Sequence, residues 1–73
     1  MLFDPKQCME IPEHVVRSAA NLLVESDPNN SYTSLLKSAD IYKEAEMTPL
    51  FYYDPYTMIM YVVAKETLGK KLH

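Results

Sequence analysis

The sequence predicts an α+β domain in which an antiparallel helical hairpin packs on a β-hairpin, in the order α-α-β-β-short α, completed by dimerisation. Three observations carry this expectation. Apolar residues recur at spacings of three and four from Ile11 to Met47. Thr48-Pro49 then breaks the helical pattern. The segment that follows is aromatic and β-branched on both sides of Asp54-Pro55-Tyr56. A chain of 73 residues holds one core, so residues 1–73 are expected to be a single small domain, with 1–10 as an N-terminal arm and 64–73 as a short helix or tail.

Helix one is expected between Ile11 and Ser26, with Val15, Val16, Ala19, Leu22 and Leu23 as its apolar stripe. Pro12 sits where a missing N–H costs no helical bond, and Glu10 and Glu13 place negative charge at the positive end of the helix dipole. Asp27-Pro28-Asn29-Asn30 ends it with turn formers. Helix two starts from Asn30 or Ser31 as N-cap and carries the stripe Tyr32, Leu35, Leu36, Ala39 and Tyr42 as far as Glu46 or Met47. A hairpin loop at Asp54–Thr57 sets Tyr53 opposite Met58 and Phe51 opposite Met60. The first ten residues either add a third strand through Leu2 and Phe3 or lie across the core. The core is expected to be formed by Val15, Val16, Ala19, Leu23, Leu35, Leu36, Ala39, Phe51, Met58, Met60 and Val62.

The hairpin carries the most functional information. Its side chains alternate between two faces. Phe51, Tyr53, Met58, Met60 and Val62 form one, and Leu50, Tyr52, Ile59, Tyr61 and Val63 form the other. Neither bears a charge, yet one helical hairpin covers a single side of a sheet. Either the N-terminal segment and the last helix wrap the second face, or that face is an interface. In the second case Tyr52, Ile59 and Tyr61, with Tyr56 at the loop tip, are the contact residues, because tyrosine offers a large area with a polar end.

Composition narrows the chemistry. The chain is 48% hydrophobic and 23% charged, too apolar for a disordered tail and too broken by charge for a membrane span. Ten acidic residues against seven basic give a net charge of -3, the wrong sign for a phosphate-binding surface. The N-terminus has no basic, apolar signal pattern and there is one cysteine, Cys8, so a cytoplasmic setting is expected, the host cytoplasm for a phage-encoded chain. Cys8, His14 and His73 lack the spacing of metal ligands. One glycine, Gly69, cannot build a phosphate-cradling loop. Glu10 with Glu13, and Glu44 with Glu46, are spaced as solvated helix surface. No catalytic residue, metal site, cofactor or small-molecule ligand is expected.

The leading functional expectation is a small acidic protein-binding module, a non-catalytic inhibitor or adaptor that docks on a larger protein through that protein's basic surface. Small phage and mobile-element proteins that antagonise nucleic-acid-handling host defence complexes share this size and charge. The contact candidates are Asp40, Glu44 and Glu46 on helix two, with Asp54 and Tyr56 in the turn. One alternative is a DNA-binding regulator, since two helices and a hairpin resemble a helix-turn-helix protein with a wing. Against it, Ser31–Met47 carries Lys37 and Lys43 versus Asp40, Glu44 and Glu46, two positive charges against three negative. The other alternative is a homo-oligomeric structural or assembly protein whose hairpins pair edge to edge.

Overall fold

A computed structural model describes residues 3–71, and the side chains of residues 3–68. Leu2 and His73, singled out above, lie outside them. The fold is α+β: two helices in contact, a three-stranded antiparallel sheet and a short final helix. In chain order these are β1 (Met9–Ile11), α1 (Glu13–Leu23), α2 (Ser31–Glu44), β2 (Pro49–Asp54), β3 (Ile59–Ala64) and α3 (Lys65–Lys71), preceded by a 3-10 turn at Pro5–Gln7.

The N-terminal arm supplies a strand, but not the expected one. β1 is built from Met9–Ile11 and pairs Met9 with Tyr53, Glu10 with Tyr52 and Ile11 with Phe51. Glu10 and Ile11 therefore belong to the sheet and not to helix one. Pro12 explains the shift, because its ring holds the preceding residue extended. It is the N-cap of α1, at ψ 144°, and the helix starts at Glu13.

Asn30 caps α2 as expected. Its Oδ1 accepts from the Thr33 amide at 3.0 Å while its Nδ2 donates to the Asp27 carbonyl at 2.9 Å, so this buried amide is satisfied on both sides. α2 ends in a Schellman motif, with the Met47 amide donating to the Tyr42 carbonyl at 2.9 Å and the Glu46 amide to Lys43 at 3.0 Å. Such a motif needs a left-handed residue, and Glu46 fills it at φ 60°. Glu13 ties the two helices together, accepting from Arg17 Nε at 2.9 Å and Lys43 Nζ at 3.0 Å.

The hairpin register differs from expectation by two residues on one strand. Tyr53 pairs with Met60 and Phe51 with Val62, and Asp54 opposite Ile59 closes the ladder. The loop is thus Pro55–Met58. Met58 adopts φ 60° and its amide donates to the Asp54 carbonyl at 2.7 Å, which removes it from the strand. A slip of two keeps every other side chain on its expected face.

On the helix side of the sheet, cross-strand rows run Ile11–Phe51–Val62 and Met9–Tyr53–Met60. α1 packs against α2 and β2, and α2 packs over β2 and β3. The first row is covered: Phe51 is 1% exposed and packs with Val16 and Ala39, flanked by Tyr32, Leu35 and Leu36. Three expected core residues are exposed, and Ala19, Leu35, Leu36, Met60 and Val62 are half-buried. Val15 is 45% exposed, Leu23 39% and Met58 75%. Val16 and Ala20, four apart, form the buried line of α1, so the helix is rotated relative to the stripe its sequence suggests and Leu22 points outward.

Candidate binding surfaces

Three surfaces emerge from this geometry. The second face of the sheet is partly covered from within. The Phe3 ring tilts against Tyr52 and Tyr61, with centroids 5.5 Å and 5.0 Å apart, inside the range of favourable aromatic contacts. Tyr52, Ile59 and Tyr61 are accordingly half-buried. Burial raises the Tyr52 phenol above its usual pKa, with the charges of Glu10 and Cys8 adding to the effect.

Asp54 shares that face and is buried. Its carboxylate accepts from Gln7 Nε2 at 3.1 Å and from the Tyr56 and Thr57 amides at 2.9 and 3.3 Å. Burial pushes its pKa up most strongly of any single influence, but the bonds from Tyr56, Gln7 and Thr57 together hold it below the ordinary value. Asp54 therefore organises the turn and fastens the N-terminal arm, while its neighbour Tyr56 stands 81% exposed at the tip.

The acidic residues of α2 lie elsewhere. Asp40 is exposed with Arg17 Nη2 3.6 Å away, and Glu44 and Glu46 are exposed toward the helix C-terminus. The structure thus separates the sequence-derived candidates: Tyr52, Ile59 and Tyr61 on the outer sheet face, Tyr56 on the tip, Asp54 inside, and Asp40, Glu44 and Glu46 on α2. Cys8 is half-buried after the 3-10 turn, and burial raises its thiol pKa, helped by Asp54 and Asp4. His14 is exposed on α1.

A further surface comes from residues of which the sequence reading selected only Ile59 as a contact. The row Met9–Tyr53–Met60 lies at the turn end of the sheet, with Met9 exposed and Tyr53 and Met60 half-buried. Two hollows meet there and share Tyr32, Tyr53 and Met60 as floor. One, of about 690 Å³, continues between the hairpin and α2 along Leu35, Ser38 and Met58. The other, of about 220 Å³, continues under α1 along Ile11, Val15 and Ala19. Their lining has no carboxylate, imidazole, thiol or amine. Serine and tyrosine hydroxyls are its only titratable or hydrogen-bonding side-chain groups, so what it offers a ligand is contact area and a few hydroxyl bonds.

No local signal in the sequence marks this groove, because its floor joins Tyr32 of α2 to Tyr53 and Met60 of two strands. No family model, curated protein or solved structure matches the chain.

Proposed function

We propose that this chain is a non-catalytic protein-binding module, an inhibitor or adaptor that receives an apolar anchor of a larger protein in the groove over Tyr32, Tyr53 and Met60. The observation that carries the reading is the half-open apolar row Met9–Tyr53–Met60, with Met9 exposed and Tyr53 and Met60 half-buried, beside a row closed on the buried Phe51. Burying that row against a partner adds contact to a domain whose own fully buried apolar residues, among those described, are Val16, Phe51 and three alanines. Methionines at the rim adapt to varied side chains. The chain's net charge of -3 and the exposed Glu44 and Glu46 favour a target with a basic surface beside the anchor.

Selecting peptides from a random library on immobilised protein, then mapping them by amide chemical shifts, tests this reading. The expected result is apolar peptides flanked by basic residues that shift Met9, Tyr53 and Met60 and lose affinity on Met9→Lys with Val15→Asp, two exposed positions. Peptides that bind equally well to that variant and shift Tyr52 and Tyr61 move the site to the outer sheet face. Failure to recover any binder sensitive to either face overturns the proposal.

A further inference from the structure

Beyond the groove, the two edges of the sheet are unlike. β1 forms one edge; it is three residues long, carries Glu10 at its centre and is followed by Pro12. Short length, charge and proline are the devices by which proteins blunt a sheet edge. β3 forms the other edge and has none of them: Ile59-Met60-Tyr61-Val62-Val63-Ala64 is uncharged, free of glycine and proline, and paired on one side only.

The register tells which backbone groups face outward. The Lys65 amide donates to the Thr48 carbonyl at 2.8 Å, so Lys65 and Thr48 form a hydrogen-bonded pair. In an antiparallel ladder such pairs alternate, which makes Leu50–Val63, Tyr52–Tyr61 and Asp54–Ile59 the bonded pairs of β2 and β3. Pro49, opposite Ala64, falls on a non-bonded pair, as a residue without an N–H must. Met60 and Val62 therefore aim N–H and C=O away from β2; Ala64 aims its N–H the same way, but it is buried and its carbonyl serves the first turn of α3.

We propose that a second copy of this chain pairs with β3 antiparallel about a two-fold axis through Val62, joining the two sheets into one of six strands. In that register Met60 faces Ala64 of the other copy and Val62 faces its own equivalent, so the two Val62 residues exchange both backbone bonds across the axis. A large side chain meets a small one on the helix side, and within β3 no charge meets its like. The same axis carries the hairpin tip of one copy past the end of β3 in the other. There Phe3, Tyr42, Met47, Val63, Thr67 and Leu68 line an apolar cleft of about 330 Å³. Tyr56, exposed and held out on the Asp54 turn, is the knob that fits it. An edge with a protruding aromatic at one end and an apolar cleft at the other is self-complementary under a two-fold axis, as an isologous interface requires.

Sedimentation equilibrium over a concentration series, with amide hydrogen exchange on the same samples, tests the pairing. The expected species has twice the 8.4 kDa chain mass. The amides of Met60, Val62 and Ala64 are expected to gain protection as the dimer fills, while Tyr61 and Val63 are protected throughout. Val62→Pro removes an N–H that the monomer does not use and is expected to abolish the dimer. Should that variant misfold, Tyr56→Ser perturbs only an exposed side chain and is expected to raise the dimer Kd at least about tenfold. A chain that stays monomeric to millimolar concentration, or a dimer in which the three outward amides exchange freely, overturns the proposal. A Tyr56→Ser dimer as tight as wild type overturns the seating of Tyr56.

Discussion

Replacing Glu46 by glycine is expected to stabilise the protein although it removes a side chain and adds nothing. Glu46 closes the Schellman motif of α2 at φ 60°. A residue with a Cβ held in the left-handed region is strained by roughly 1–2 kcal/mol, because Cβ crowds the following carbonyl oxygen. Glycine escapes that crowding but loses more backbone freedom on folding, a cost of roughly 0.5–1 kcal/mol. The difference leaves about 0.5–1 kcal/mol in favour of Glu46→Gly, which for a domain of this size raises Tm by roughly 2–8 °C. Thermal melts followed by circular dichroism, repeated by urea titration to check that the slope is unchanged, give the value. Glu46→Ala is the control, since it deletes the charge and keeps the Cβ. If Ala raises Tm as much as Gly, electrostatics around Glu44 and Glu46 is responsible and the backbone reasoning is refuted. If neither raises it, Glu46 makes interactions in the folded state that offset its strain.

Other consequences are equally direct. Phe51→Ala empties the centre of the core and is expected to cost about 3–5 kcal/mol in urea unfolding, whereas Leu23→Ala at a 39% exposed site is expected to cost less than about 1.5 kcal/mol. Equal costs would mean that α1 is rotated toward its sequence stripe after all. Asp54 has a depressed pKa when folded, so its carboxylate stabilises the fold above its ordinary value of 3.8 and that contribution is lost as pH falls through the folded value. Asp54→Asn is therefore expected to be less stable than wild type at neutral pH, with the two curves converging as pH falls through the folded value; parallel curves would show that Asp54 does not titrate with folding. Cys8, its thiol pKa raised by burial and by Asp54 and Asp4, is expected to react with a disulfide reagent more slowly in native protein than in urea at neutral pH. A native rate equal to the unfolded one would place Cys8 in free solution.

The helical hairpin was legible because its signals are local. Asn30 caps α2 from a position where its side chain can reach Thr33, and Asp27-Pro28-Asn29 separates the helices, so no distant information was needed. The hairpin faces were legible for a similar reason, since a period of two survives a slip of two. The register itself was not, because it depends on Met58 standing at φ 60°. The chain contains one glycine, Gly69, and among the described residues the left-handed positions Glu46 and Met58 are filled with residues that give no sign of it. β1 left a readable trace, as Pro12 forces Ile11 to be extended, but three residues are too few to show an alternating pattern. The groove left no trace, since its floor joins Tyr32, Tyr53 and Met60 from three separate stretches of chain. Asp54 looked like surface charge for the opposite reason: the groups that fasten it are Gln7 and two amides of its own turn, which spacing does not reveal.

The position of β1 also sets an order of events during folding. The ends of the β2–β3 turn, Asp54 and Ile59, are five positions apart (59 minus 54), while Ile11 and Phe51 are forty apart (51 minus 11). Loop-closure entropy grows with the logarithm of length, so bringing β1 to β2 from the open chain costs about 1.8 kcal/mol more than closing the hairpin. The hairpin and the helical pair are therefore expected to form first, and Met9–Ile11 to arrive last, once α1 has docked and shortened the effective distance. Until then β2 is itself an open edge, and a chain caught at that stage exposes both sides of its hairpin to other strands.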